Sequence, residues 1–392
     1  MPFENKSHPY KRKRVAVIGC TGSVGSSVMD VCRTYPEYFE VVVLAADTGR
    51  EKLPSLCEEF MPKSVVLRKM RCDLPSEVEV RVGDDELVNV VERDDVDHVV
   101  FASSGVAAVY AIARALEIAK EISLANKESA LILGDRLWPF VRSGQVRPLD
   151  SEHNALWQCM LGEKYEDVDK LLLTASGGPF LRTPLKELEH VTPEQAVEHP
   201  VWSMGSKISV DSATMINKGI ELLEAHYLFG VPSEKIFPVI HLGSKVHGIV
   251  SFIDGTTKLL MSYPDMRLAS LTAMSMPHRL PQKMKGISAI SFDSLDLHFE
   301  KPSYERFPGL ALAQECAKLG EPYPVILIAS DAAAVELFLS RQIAFTDIHK
   351  IVAATVYGYC GKISNSLKER IDLYFRAYKH ALSNGTEKKG WA

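Results

Sequence analysis

Apolar residues fall into short runs separated by helical periodicity along the first part of the chain. Val15–Ile18 is a β-branched run that stops at Gly19, and a helical pattern follows before the next run at Val41–Ala45. Further strand-like runs lie at Ser64–Leu67, His98–Ala102 and Glu121–Ala125, with a helical stretch, Ala107–Ala119, between the last two. Strand–helix alternation on this scale predicts a doubly wound parallel sheet of Rossmann type, ending near Pro148. From Asp150 the pattern changes. A helix is expected over Ser151–Met160, then a strand at Leu171–Thr174 that ends in Ser176-Gly177-Gly178-Pro179. Pro193 to Ser206 has few periodic apolar residues and reads as a mobile loop, with Ser212 as the cap of a helix running to Phe229. Strands are expected at Ile236–Leu242, Val246–Ile253 and Lys258–Met261, the last two joined by the turn signal Asp254-Gly255. Pro277 to Pro308 is rich in Pro, Gly and Ser. Beyond it helices are expected at Leu310–Leu319, Ala332–Leu339, Thr346–Gly358 and Ser364–Leu382. The expected organisation is an α/β segment 1–149, a central α+β segment 150–285, a linker 286–308 and a helical C-terminal segment 309–392.

The bulk numbers agree with this division. At roughly 100–200 residues per domain, 392 residues suggest two or three domains. A formal net charge of -5 gives no strong field for nucleic acid or an anionic membrane. No apolar run is long enough to span a bilayer. Lys11 to Arg14 is basic, but no apolar stretch of signal-peptide length follows, so it reads as a solvated arm. The cysteines, at 20, 32, 57, 72, 159, 316 and 360, are odd in number and never spaced C-x-x-C. They read as reduced thiols of a cytoplasmic protein.

Three patterns carry candidate chemistry. Gly19, Gly22 and Gly25 sit where a strand opens into a helix, a junction that offers backbone N–H groups and a positive dipole end to a pyrophosphate. A plain tight turn is the alternative. Asp47 follows the second strand, where an acid bonds a ribose 2′-hydroxyl, while Arg50 is placed to hold a 2′-phosphate, so NADH and NADPH both stay open. Asp150 and Glu152 lie two apart at the start of a helix, as hard-cation ligands or as simple capping groups. Asn217, Lys218 and Glu221 share one stripe of a helix, either a solvated face or a site. Ser176-Gly177-Gly178 after a strand can receive an anion. His199 and Trp202 lie on the expected loop, and a Trp there suits a lid.

In order along the chain stand Gly19-Cys-Thr-Gly-Ser-Val-Gly25, Leu124-Ala-Asn-Lys-Glu128, Asp150-Ser-Glu-His-Asn-Ala155, Ser176-Gly-Gly-Pro-Phe180, His199-Pro-Val-Trp-Ser-Met-Gly205 and Lys207-Ile-Ser-Val-Asp-Ser-Ala-Thr-Met-Ile-Asn-Lys-Gly-Ile-Glu221. Together with Tyr263-Pro-Asp-Met-Arg267 and Glu305-Arg-Phe-Pro308, they resemble the 1-deoxy-D-xylulose 5-phosphate reductoisomerase family over nearly the whole chain. The resemblance implies metal-dependent rearrangement and NADPH-dependent reduction of that sugar phosphate to 2-C-methyl-D-erythritol 4-phosphate, in non-mevalonate isoprenoid biosynthesis, by a cytoplasmic homodimer. It implies one Mg2+ or Mn2+ on Asp150, Glu152 and Glu221. Substrate contacts would come from Ser151, Glu152, Ser176, His199, Trp202, Ser212, Asn217, Lys218 and Glu221. Lys218, Glu152 and His199 would be the catalytic groups, with His199, Trp202 and Met204 on a closing flap. Cofactor contacts would come from Thr21, Gly22, Ser23, Val24, Asn126, Lys127, Glu128 and Gly205. The chain departs from the family at Ala45-Ala46-Asp47-Thr48, His241-Leu-Gly-Ser244, Met274-Ser-Met-Pro277 and Ala329-Ser-Asp-Ala-Ala-Ala-Val-Glu336. Two other readings stand beside this one: a nicotinamide dehydrogenase of semialdehyde or homoserine type, and a catalytically idle NADPH-binding sensor.

Overall fold

The computed structural model describes residues 11–47, 51–68, 74–199, 201–202, 204–293, 295–361, 366–384 and 391. Thr48, Arg50, Cys72, Pro200 and Ser203 lie outside these. Contacts divide the chain into two compact units. The first comprises residues 1–125, 144–149 and 266–287, and the second comprises 126–143, 150–265 and 288–392. The units are not contiguous, unlike the segments expected from the sequence. Helix Met266–Ser275 packs on helix Ser23–Thr34 of the first unit, whereas helix Lys127–Leu133 packs on helix Ile216–Phe229 of the second.

The first unit is built on a seven-stranded sheet. Its strands are β1 (Lys13–Ile18), β2 (Phe39–Ala46), β3 (Ser64–Leu67), β4 (Glu79–Val82), β5 (His98–Phe101), β6 (Glu121–Leu124) and β7 (Val146–Pro148). The order is β4-β3-β2-β1-β5-β6-β7, and every pair is parallel. β1 and β2 carry the continuous buried apolar runs Val15–Ile18 and Val41–Ala46, as both faces of a helix-covered parallel sheet require. Strand order reverses at β1, so the turn after β1 lies at the switch point where such sheets bind ligands. The expected strands of this unit are all present. β4 and β7 were not expected: β4 is polar and partly exposed, and β7 is very short.

The second unit contains β8 (Val168–Ala175), β9 (Ile236–Ile240), β10 (Val246–Phe252) and β11 (Thr257–Met261), ordered β11-β10-β8-β9. β8 and β9 are parallel, and β10 is antiparallel to both β8 and β11. Helix Ser151–Met160, starting where the sequence places it, packs on β10. Helices Pro308–Leu319, Tyr323–Leu339, Phe345–Gly358 and Leu367–Asn384 form the C-terminal bundle. Tyr323–Leu339 is nearly fully buried, which accounts for its apolar residues on every face.

Two expectations are corrected. Pro193 to Ser206 is not all loop: Pro193–Val197 is a short helix, with Thr192 and Gln195 making a reciprocal capping box. Ser212 does not start the next helix. It lies near the end of helix Ser206–Ala213, and the chain breaks at Met215, a left-handed residue at φ 59°, before helix Ile216–Phe229 begins. Among the described residues, no helix is long and apolar enough to cross a membrane, and Cys20, Cys32, Cys159, Cys316 and Cys360 are free thiols.

Candidate active site

The turn after β1 has the shape its glycines predict. Gly19 has φ 88°, and a Cβ there would meet the Ser103 backbone nitrogen at 2.6 Å. A Cβ on Gly25 would lie 2.0 Å from the Gly19 carbonyl oxygen. No side chain fits at either position, so the strand can pass into the helix without a gap. Gly22 is the extended N-cap of helix Ser23–Thr34 and makes no side-chain cap, so Thr21, Gly22, Ser23 and Val24 surround the open N-terminus of that helix. At the end of β2, Asp47 does not face the turn alone. Arg68, at the end of β3, donates to Asp47 Oδ2 at 3.0 Å and to Asp84 at 2.6 Å. The sequence reading missed Arg68, because its partner lies 21 residues away across two strands.

In the second unit, the start of helix Ser151–Met160 and the middle of helix Ile216–Phe229 bring together the expected acids. Asp150, Glu152 and Glu221 each offer one carboxylate oxygen, and the three oxygens lie within 4.8 Å of one another. An octahedral Mg2+ shell spans about 4.2 Å between opposite oxygens, so side-chain shifts of well under an ångström suffice for the three to share one ion. The donors are all hard oxygens, the set that Mg2+ or Mn2+ takes. The stripe on Ile216–Phe229 is not a solvated face, since Lys218 is 4% exposed and Glu221 is 2% exposed. Lys218 Nζ donates to Glu152 Oε1 at 2.6 Å and also to Glu221. Asn217 donates to Glu221, and Ser151 to Glu152.

Lys127 also enters this cluster. It donates to Asp150 and, at 3.3 Å, to Glu221 Oε1, and it lies 3.6 Å from Glu224. Burial disfavours its charge, but Asp150, Glu221 and Glu224 outweigh that and hold it well above the usual ammonium range. Burial and the Glu221 charge raise Glu152 to about 7, against the pull of Lys218. Asp150 is buried too, yet Lys127 holds it well below the usual carboxylate range.

A second group, Asp150, His153 and Glu224, has similar spacing, and the sequence reading missed it. His153 Nε2 donates to the Glu221 carbonyl at 2.9 Å. Burial lowers its affinity for a proton, but Glu224 and Asp150 more than compensate and raise it to about 9. His153 thus braces the Glu221 backbone, with its Nδ1 3.8 Å from Asp150 and 3.7 Å from Glu224.

The residues expected to hold an anion lie in the same unit. Gly178 has φ 67°, and a Cβ there would sit 2.6 Å from the Ser212 carbonyl oxygen. The loop after β8 therefore lies directly on the end of helix Ser206–Ala213, bringing Ser176 towards Ser212. His199 Nδ1 accepts from the backbone N–H groups of Val201 at 3.1 Å and Trp202 at 2.8 Å. That fixes the tautomer, leaving Nε2–H to donate to Ser176 Oγ at 2.9 Å. Burial pushes His199 down to about 4, so it is neutral at ordinary pH. The Trp202 ring lies 6.2 Å from that of His247.

Three expected cofactor contacts have other visible duties. Asn126 caps helix Lys127–Leu133, accepting from the Ser129 N–H at 2.6 Å. Glu128 is nearly buried, and Gly205 is the N-cap of helix Ser206–Ala213.

A parallel sheet with a glycine turn at its switch point and, in the second unit, a lysine-braced carboxylate triad are the features expected of a nucleotide-dependent, metal-assisted enzyme. Family models sharpen this. Those described as 1-deoxy-D-xylulose 5-phosphate reductoisomerase, the C-terminal domain of that enzyme and the DXP reductoisomerase C-terminal domain match residues 15–134, 146–229 and 261–381. The reductoisomerase of Chlorobaculum tepidum is 40% identical over 357 residues, covering 88% of this chain and 93% of the relative. That of Persephonella marina is 40% identical over 333 residues, covering 85% and 87%. A solved Zymomonas mobilis reductoisomerase in complex with NADPH superposes with a TM-score of 0.85 at 34% identity, covering 96% of this chain and 99% of that one. A second solved reductoisomerase, in complex with NADPH, fosmidomycin and magnesium, gives 0.85 at 31% identity, covering 96% and 98%. The chain belongs to the 1-deoxy-D-xylulose 5-phosphate reductoisomerase family.

Proposed function

We propose that this protein converts 1-deoxy-D-xylulose 5-phosphate into 2-C-methyl-D-erythritol 4-phosphate, a step of non-mevalonate isoprenoid biosynthesis, with NADPH as reductant and Mg2+ or Mn2+ as the metal. The observation that carries the reading is the meeting of Asp150, Glu152 and Glu221 within 4.8 Å, braced by Lys127 and Lys218, with Lys218 and Glu221 on the same helix as Asn217. When bound, the cation would draw electron density from the substrate's carbonyl and hydroxyl oxygens, and the nicotinamide would deliver hydride to the rearranged aldehyde.

The chain's own side chains do the rest. Asp150, Glu152 and Glu221 would hold the cation. Lys218 places a positive charge beside Glu152 and Glu221, where negative charge on a substrate oxygen is stabilised. Glu152, in contact with the Lys218 ammonium, would be the other catalytic group beside the cation. Ser176, Ser212, Asn217 and neutral His199 are suited to hold the phosphate and sugar hydroxyls through hydrogen bonds, with Ser151 beside them. His199, Trp202 and Met204 would close over the substrate and exclude water.

The segment 1–149 would carry the nucleotide through Thr21, Gly22, Ser23 and Val24, with Asn126, Lys127, Glu128 and Gly205 assisting. Arg68 supports the choice of NADPH. It offsets the negative charge of Asp47 and supplies a cation for a 2′-phosphate. Arg68→Ala is expected to raise KM for NADPH about tenfold and to change KM for NADH much less, as steady-state kinetics with each nucleotide would report. A cytoplasmic homodimer completes the proposal, and light scattering tests it by the mass in solution.

The assay for the whole reading follows NADPH absorbance on adding 1-deoxy-D-xylulose 5-phosphate, with and without Mg2+ or Mn2+. Metal-dependent oxidation supports it. Metal-free activity on an ordinary aldehyde would favour a semialdehyde-type dehydrogenase, and NADPH binding without turnover would favour a sensor.

A further inference from the structure

A second buried set of charges lies in the same unit, apart from the carboxylate triad. Lys207 Nζ donates to Asp211 Oδ2 at 2.7 Å, one turn along its own helix, and to Asp331 Oδ2 at 2.6 Å on helix Tyr323–Leu339. Asp211 is 2% exposed and Asp331 is fully buried. The Oδ1 atoms of both are buried and have no hydrogen-bond partner among the described residues. Glu128, from helix Lys127–Leu133, and the neutral phenol of Tyr374, from helix Leu367–Asn384, are the other titratable groups facing this set. Three carboxylates therefore surround one ammonium. Burial and then the Asp331 charge push Asp211 up to about 8, against the pull of Lys207. Asp211 therefore keeps its proton to higher pH than an ordinary carboxylate, and its unpartnered Oδ1 can carry it.

The clamp holds a consequential helix. Ser206–Ala213 begins at Gly205, directly after the segment of His199, Trp202 and Met204, and it carries Ser212 beside Asp211. Ser212 also supplies the carbonyl on which Gly178 rests. A small shift of this helix moves both Ser212 and the root of the His199 segment.

We propose that Lys207, Asp211 and Asp331 are positioning residues that lock helix Ser206–Ala213 to the C-terminal bundle and so set the binding of the substrate phosphate. The inference rests on the function proposed above. Above about pH 8 Asp211 gives up its proton. Two full negative charges then face each other across the part-exposed Lys207 ammonium, the clamp loosens, and KM for the sugar phosphate rises. An Asn at 331 keeps an acceptor oxygen for Lys207 and removes one of those charges, so it keeps the clamp and removes that rise.

The test is steady-state kinetics on the full-length enzyme from pH 7 to 9, with thermal melts of each variant. Asp331→Ala should raise KM for 1-deoxy-D-xylulose 5-phosphate about tenfold, with kcat and KM for NADPH changed by less than about twofold. Asp331→Asn should restore KM at pH 7 and flatten the alkaline rise seen in the wild type. If Asp331→Ala does not fold, Lys207→Gln must show the same rise in KM. An unchanged KM, or equal loss of kcat, both KM values and melting temperature in the Ala and Asn variants, would overturn the inference alone. A wild type with no metal-dependent turnover would overturn the proposed function and this inference with it.

Discussion

Glu221→Gln should reduce turnover by about a thousandfold or more while leaving NADPH binding intact. Glu221 is 2% exposed, and its two oxygens face Lys127, Lys218 and Asn217. Gln keeps the shape and one acceptor oxygen. It removes the negative charge that a cation requires, and it leaves two ammonium groups facing a weaker acidic partner. An amide N–H also points where only acceptors belong, and it would repel the lysine it meets. The substitution leaves the proposed pyrophosphate contacts at Thr21, Gly22, Ser23 and Val24 unaltered, so the fluorescence of bound NADPH should titrate as in the wild type. Turnover within about tenfold of the wild type would remove Glu221 from the metal site.

Gly25→Ala should weaken NADPH binding about a hundredfold. The new Cβ would sit 2.0 Å from the Gly19 carbonyl oxygen and 2.9 Å from the Cys20 backbone. Backbone atoms cannot rotate away as a side chain would, so the turn must open. Opening it displaces the N-terminus of helix Ser23–Thr34, the part expected to meet the pyrophosphate. Calorimetry with NADPH reads the loss. Substitution to Ala in a helix interior would otherwise be stabilising, by up to about 1 kcal/mol, so a weaker, less stable variant isolates the steric effect. An Ala variant that binds NADPH normally would show that the turn tolerates a side chain and that its glycines serve something else.

These two residues also show what the sequence makes legible. Gly25 stands out because a strand pattern, a glycine spacing and a helical pattern adjoin within one stretch, and each is a local property. Ser151–Met160 was legible for the same reason, with Asp150 marking its start. From its local pattern Glu221 was one of three polar residues on a helix stripe, and only the family resemblance made it a metal ligand, since nothing local separates a buried stripe from a solvated one. Its burial depends on packing by elements far along the chain. Lys127 and Arg68 escaped for that reason, since each meets its acid across strands or helices that only the fold brings together. Lys127 carried a cofactor expectation, while its side chain points at Asp150, Glu221 and Glu224.

Helix Tyr323–Leu339 was expected only from Ala332 because its first half is apolar on every face and has no periodicity to read. The break at Met215 was hidden because a left-handed non-glycine residue leaves no compositional mark. Asp331 showed the opposite problem. It is a charge within an apolar run, unexplained until Lys207 appears 2.6 Å away.

The account depends on one cation held by three acids. Mn2+ titration followed by electron paramagnetic resonance, on the wild type and on Glu221→Gln, tests this most directly. One tightly bound ion in the wild type, lost or greatly weakened in the variant, is the predicted result. Equal Mn2+ binding by both proteins, or none by the wild type even with the sugar phosphate present, would contradict it.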